Sequence, residues 1–369
     1  MRDPAHATGT TLTIDLDAVV ANYRLLSATA PGAECAGVVK ANGYGLGAAP
    51  VVRALAAAGC RTFFVAHLGE ALAIRGIVPD ATIAVLNGAA PGAEGEFAAH
   101  GLLPVLNSLE AVAAWTAEGE RAGAPLPAIL HVDTGMSRLG LSDDELDRVA
   151  ADPSLLDGVA LKWLMSHLAV AEAPEHPLNA EQRARFGAVR ARLPVMPASL
   201  ANSSGIFLGP DYHYDLVRPG ASLYGVNPRP GAANAVQHVV RLEAPILQLR
   251  SIGSPRTVGY GATHGVTGAT KIATIPVGYT DGYLRSLSNR GHAFLGRHKI
   301  PVVGRVSMDL VTLDVTAVPE AEARPGAMVE VISERNTVDA VGAAAGSMGY
   351  EILTGLGARY ARRYVGASA

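Results

Sequence analysis

The 369-residue chain has only four lysines, two cysteines, few aromatic residues and no long apolar run. Each scarcity excludes something. Cys35 and Cys60 show neither C-x-x-C spacing nor a secreted-style framework, so free thiols in a reducing cytosol are expected rather than a disulfide. The apolar runs break well short of a membrane span, so no membrane partner is expected. The opening stretch MRDPAHATGTTLTIDLD has no apolar h-region, so no signal peptide is expected and the anticipated address is cytoplasmic. Net charge is −3 with a pI near 6.4, and no basic block interleaved with aromatics suggests a nucleic-acid surface. What is present is apolar: 49% hydrophobic against 17% charged residues. Such a chain buries a large core, and its length favours two domains or one barrel with an addition.

The lysines are Lys40, Lys162, Lys271 and Lys299; arginine supplies nearly all the remaining positive charge. Lys40 stands in residues 36–47, AGVVKANGYGLG, where a short apolar run delivers it to a Gly-rich turn. Burial lowers a lysine pKa and frees the amine as nucleophile or base. A lysine that merely snorkels from a strand end is the plainer reading of the same residues.

The rest of the chain bears on that choice. TLTIDL (11–16) alternates as a strand, and Asp15 or Asp17 can cap a helix over 18–28. Apolar runs then recur at 34–40, 61–66, 82–86, 102–106, 127–133, 159–167, 197–201 and 214–217. Segments of helical period lie between most of them, at 50–58, 68–75, 109–121, 143–151 and 181–193. The link 202–212 is too rich in Gly and Pro for a full helix. Eight runs so arranged predict an α/β chain built on a (β/α)8 TIM-like barrel, with a doubly wound sheet as the alternative. After the Pro/Gly/Ala link 228–235 the pattern turns β-rich: 242–252, 271–277, 300–303, 310–315 and 327–332, with one helical segment at 337–345. The expected domains are a barrel over 1–235 and a β-dominated C-terminal domain over 236–369, leaving the strand near 11–16 free to pack with the second.

Barrel chemistry sits at the C-terminal ends of the strands. Lys40 ends the first run there, His131, Asp133 and Arg138 end or follow the fifth, and Ser166 and His167 end the sixth. Asn202, Ser203 and Ser204 follow the seventh, Arg218 and Gly220 the eighth. Hydroxyls and Gly N–H groups after the last two strands suit a phosphate, and a lysine opposite them can form a Schiff base. Arg218 is placed to face a ring nitrogen. Together these describe pyridoxal 5′-phosphate (PLP). His131, Asp133 and His167 could instead be metal ligands, but their spacing matches no compact zinc motif, and no metal is expected.

VVKANGYGLG together with HVDTGMSRLG (131–140), ANSSG (201–205), DLVRPGASLYG (215–225), VGYGATH (258–264), IPVGYTDGYLR (275–285), VVGRVSMD (302–309) and GYE (349–351) resembles bacterial alanine racemase, in order along essentially the whole chain. The resemblance implies a PLP enzyme with a barrel, a β domain and a head-to-tail homodimer whose two sites are completed across the interface. It implies that Lys40 is the Schiff-base lysine and one catalytic base, and that Tyr260, from the other subunit, is the opposed base. His167 would contact that tyrosine and link to Arg218, which would face the pyridine nitrogen. Tyr44, Ser203, Gly220, Ala221 and Tyr350 would hold the phosphate. Arg138 and Met308 would bind the substrate carboxylate, and Tyr279, with Asp309 nearby, would narrow the entrance.

One position departs from the pattern. Many members carry a carbamylated lysine that orients the arginine; here the residue is His131, and a neutral imidazole, a water or an anion would have to take over that role. The implied activity is interconversion of L- and D-alanine for peptidoglycan. A broader serine racemase, a decarboxylase and a non-catalytic PLP carrier are the alternatives. Arg218 speaks against the decarboxylase, and the 236–369 segment with Tyr260 against the carrier.

Overall fold

The computed structural model describes residues 9–366 of the chain. The expectation about a leader therefore lies largely outside the described residues. Seven parallel strands pair in chain order: Gly37–Val38, Thr62–Val65, Thr82–Val85, Leu103–Leu106, Leu126–His131, Val159–Met165 and Ala198–Ser199. The eighth, Leu216–Val217, pairs with Glu34–Cys35 at the start of the first. Backbone bonds from Ala36 N to Val217 O (2.9 Å), Val38 N to Pro219 O (3.0 Å) and Arg218 N to Ala201 O (2.9 Å) close the ring on both sides of the eighth strand. A closed ring has no edge, which rules out the doubly wound sheet. Runs such as TFFV and LPVL are buried at every position, as strands packed on both faces must be.

The outer helices include Ala48–Ala57, Leu68–Arg75, Leu109–Ala122, Asp143–Ala151 and Pro177–Arg192. The seventh link makes only the short turns Gly205–Leu208 and Pro210–Tyr212. The helix Leu16–Thr29, which precedes the first strand, packs on Ala48–Ala57 and on the turns Gly205–Leu208 and Ala221–Tyr224, and so fills the gap left there. Asp15, not Asp17, is its N-cap, with Oδ1 accepting from Ala18 N at 3.0 Å.

Strand Thr11–Asp15 stays outside the barrel. It pairs antiparallel with Val240–Pro245 and parallel with Ala361–Val365. Met328–Ile332, His292–Leu295 and His298–Pro301 complete that six-stranded sheet. The stretch expected as one run over 242–252 is in fact two strands. The first ends at Pro245, and Gln248–Ile252 belongs to a separate sheet with Thr270–Ile275 and Val311–Asp314. Proline has no N–H to continue a ladder, and the chain changes sheets there. Strands His292–Leu295 and Ala361–Val365 went unread in the sequence because each is short and carries histidine or arginine where an apolar run would be sought. A hairpin, Arg256–Val258 with His264–Val266, carries Tyr260 in its turn.

The second domain braces the barrel at one functional point. Arg362 Nη1 donates to Gly45 O (2.6 Å) and Tyr364 Oη to Leu46 O (2.9 Å), both just beyond Lys40. Leu12, fully buried, lies on the strand that joins both chain ends in one sheet. Leu12→Ala is expected to cost about 2–5 kcal/mol, read as a lowered urea midpoint.

Candidate active site

Lys40 opens a turn of rare handedness. Ala41, Asn42, Gly43 and Tyr44 all have φ between 52° and 62°. Side chains crowd their own carbonyls in this region, so consecutive non-glycine residues there store strain. Several bonds hold the turn. Ala41 N donates to Glu70 Oε1 (2.6 Å), Ala48 N to Asn42 Oδ1 (2.9 Å) and Gly45 N to Ala41 O (2.7 Å). Gly45 is obligatory: its φ is 82°, and a Cβ there would lie 2.4 Å from Leu353 O.

The turn faces a cavity of about 750 Å³ at the C-terminal end of the barrel. Its lining includes Lys40, Tyr44, His131, Arg138, His167, Ser203, Arg218, Gly220, Ala221 and Tyr350. On one side Ser203 Oγ accepts from Gly220 N (2.9 Å) and Ser222 N (3.3 Å). A Cβ at Gly220 would come 2.3 Å from Tyr44 Oη, so only glycine lets that hydroxyl approach. Tyr44 stacks on Tyr224 at 4.7 Å between ring centroids, which fixes its ring. The hydroxyls and backbone N–H groups gathered there form a donor set that fits a phosphate.

Arg218 is buried beside them. Nη1 donates to Ser199 Oγ, and Nη2 to Ser166 O (2.7 Å), with His167 Nδ1 at 3.5 Å. Nε–H enters none of these bonds. Burial pulls the Arg218 pKa down to about 9, which leaves it cationic at neutral pH. The Lys40 amine is pulled below its ordinary pKa by burial and by Arg138, with Glu70 opposing. His167 is pushed well below its usual value by burial and then by Arg218.

The carboxylates near these cations are committed elsewhere. Asp133 accepts from Gly135 N, Met136 N and Ser137 N, each at 2.9 Å. Glu70 accepts from Ala66 N (2.8 Å) as well as Ala41 N. His131 donates from Nδ1 to Asn107 Oδ1 at 2.7 Å. That assignment follows from Asn107, whose Nδ2 donates to Leu86 O (3.1 Å) and Val105 O (3.2 Å) and so fixes the amide orientation. Burial and the charges of Arg218 and Arg138, opposed by Asp133, lower the His131 pKa to about 4. The imidazole is therefore neutral, with Nε2 a free acceptor.

Tyr260, Tyr279, Met308 and Asp309 lie elsewhere, around a second cavity of about 610 Å³ on the C-terminal domain. Tyr260 is 72% exposed, between Gly259 and Gly261, with Arg305 against Gly261. Tyr279 N donates to Ser307 O (3.0 Å) and Thr280 N to Met308 O (3.1 Å), which joins the two loops. Arg359 ties them further, bonding buried Asp281 through Nε (2.6 Å) and Nη2 (2.8 Å) and Asp309 through Nη1 (2.7 Å). One chain thus gathers nine of the proposed residues in the first cavity and four in the second. Among the described residues, no group of three or more His, Cys, Asp and Glu is placed to hold a metal ion.

Residues 14–228 match the model of the alanine racemase N-terminal domain and residues 239–364 that of its C-terminal domain. The chain belongs to the alanine racemase family. Alanine racemase from Rhodospirillum rubrum is 54% identical over 96% of both chains, and a catabolic alanine racemase from Mesorhizobium japonicum 50% identical over 98% of this chain and 94% of its own. A crystal structure of alanine racemase from Bartonella henselae with covalently bound pyridoxal phosphate superposes with a TM-score of 0.94 at 42% identity, covering 96% of this chain and 99% of that one. The biosynthetic alanine racemase from Pseudomonas aeruginosa gives 0.90 at 35% identity, covering 97% and 99%.

Within this alanine racemase fold several supporting residues escaped the sequence reading. Glu70 and Asn107 sit at helix and strand ends with nothing in their spacing to mark them, and Arg359 lies far along the chain from both aspartates it binds. Glu70 closes a capping box with His67 as N-cap, a pairing the sequence analysis did not single out.

His131 generates a pH prediction. Its folded pKa near 4 lies below the ordinary 6.5, so between these values the unfolded chain binds a proton that the folded chain does not. Its contribution is complete above pH 6.5 and is lost as pH falls through about 4, about 3 kcal/mol in all; His167 adds in the same direction. Urea midpoints measured at pH 7 and pH 5 should fall less for His131→Asn than for the parent chain.

Proposed function

We propose that Lys40 and Tyr260, the latter from a second copy of the chain, are the two bases with which this alanine racemase interconverts L- and D-alanine, and that it supplies D-alanine for peptidoglycan. The observation that carries this reading is the single lysine at a cationic, donor-lined barrel mouth, with its amine already biased toward the free base.

The residues present fit PLP. Tyr44, Ser203, Tyr350 and the backbone of Gly220 and Ala221 would hold its phosphate, Lys40 its aldehyde carbon and Arg218 its ring nitrogen. When bound, PLP acts as an electron sink for the pair left at the amino-acid Cα once its proton is removed.

Racemisation needs a base on each face of that carbon. Lys40, kept below its ordinary pKa, can take a proton on one face and return one there in the reverse direction. Tyr260 serves the other face. A phenol, with an ordinary pKa of about 10, needs nearby donors to hold its charged form; His167 of the neighbouring site would supply one. Arg218 can only donate, so the ring atom it faces must accept. That limits how far the pair at Cα is drawn away and favours its prompt reprotonation. Arg138 would take the substrate carboxylate, with Met308 N–H beside it and Tyr279 and Asp309 at the entrance. His131, neutral and braced by Asn107, would offer Arg138 an acceptor in place of a charged partner.

A homodimer supports this division of labour. The two bases lie in different cavities of one chain, and Tyr260, Met308 and Tyr279 are exposed together around the second. No helix among the described residues is long and apolar enough to cross a membrane.

Tyr260→Phe should abolish measurable racemisation of either enantiomer while bound PLP, followed by its visible absorption band, remains. Lys40→Ala should remove both. Mixing the two inactive variants after dissociation should restore about a quarter of parental activity, because random pairing makes half the dimers mixed and each mixed dimer has one intact site. No recovery on mixing would place both bases in one chain, and full activity of Tyr260→Phe would end the two-base reading.

A further inference from the structure

Gln182 is wholly buried on the helix Pro177–Arg192 and does not line the cavity. Its amide nevertheless makes three bonds toward it. Oε1 accepts from Ala169 N (2.8 Å), and Nε2 donates to His167 O (2.9 Å) and Thr134 Oγ1 (3.3 Å). The donor at Ala169 fixes which end of the amide is oxygen. Thr134 Oγ1 in turn shares a hydrogen bond with Ser166 Oγ (2.8 Å), and Ser166 O accepts from Arg218 Nη2 (2.7 Å). One buried side chain therefore touches the loop after the fifth barrel strand and the segment after the sixth. A buried amide is costly unless paired, and an apolar side chain would fill the same helix position without that demand. Phe186, one turn on, fills its own that way.

We infer that Gln182 is a positioning residue for racemisation: it locks the Thr134 loop to the Ser166–His167 segment, and so fixes where His167 and Arg218 stand. The inference rests on the reading that His167 and Arg218 face the reacting groups. Gln182 touches neither substrate nor cofactor; it acts through the backbone of the residues that do.

The test compares holoenzyme variants Gln182→Met, Thr134→Val and Phe186→Leu. Gln182→Met should lower kcat on alanine about tenfold, as expected for losing two or three hydrogen bonds that hold the site. KM should change little, and bound PLP should be lost several-fold faster on dialysis. Thr134→Val should act in the same direction, and the double variant should lose less than the product of the single losses, because both cut one network. Phe186→Leu should lower Tm and change neither kcat nor PLP retention. Unchanged kcat and retention in Gln182→Met would overturn the inference, as would a Phe186→Leu variant of equal Tm loss that reproduced both effects. Should Gln182→Met fail to fold, parental kcat in Thr134→Val would overturn it equally. His167→Ala and Arg218→Ala separate the two levels: if these leave kcat and PLP retention intact, the reading of the site fails, whereas if they collapse both and Gln182→Met does not, only the positioning role fails.

Discussion

Three basic side chains, Lys40, Arg138 and Arg218, share one cavity, and the carboxylates of Glu70 and Asp133 near it are already bound to backbone N–H groups. Much of the site's chemistry follows from this imbalance. Burial, and then repulsion from the neighbouring cations, holds the lysine amine below its usual pKa and keeps both nearby histidines neutral. The cavity is thereby matched to anionic occupants. Asp133 and Glu70 shape the loops by accepting from main-chain donors and offset only part of that charge.

Holding such a cluster demands a rigid frame. The turn after Lys40 runs through five residues of positive φ, three of them not glycine, a conformation that local propensity opposes. Glu70 holds it from one side, and Arg362 and Tyr364 of the second domain from the other. The β domain is thus more than an appendage: its last strand pairs with the first strand of the chain and braces the lysine turn. Side-chain amides do comparable work within the barrel, half-buried Asn107 bonded to His131 and buried Gln182 bonded to His167 O.

The same domain presents Tyr260, Tyr279 and Met308 at a cavity of its own. Backbone contacts so close that Gly278 admits no side chain, its Cβ falling 2.1 Å from Met308 O, join the Tyr279 and Met308 loops. Arg359 then fastens them through Asp281 and Asp309.

The sequence by itself determined the eight strand positions, because a barrel strand buried on both faces is a short, unbroken apolar run wherever it occurs. It also determined the class of chemistry, since Lys40, Arg218 and the Ser/Gly loops fall at strand ends and every barrel puts those ends together. The eight ordered motifs made the family legible as well. Only the tertiary structure decided how these groups are held. Periodicity could not show that 242–252 divides between two sheets at Pro245, or that ARRYV near the C-terminus is a strand, because local residues there are outvoted by pairing partners far away in the chain. Nor could it show Asn107 beneath His131, Gln182 beneath His167 or Arg359 across two aspartates. Hydrogen bonds between residues distant in sequence leave no spacing to read. They exist only once the barrel has closed and brought their partners within 3 Å or so of one another.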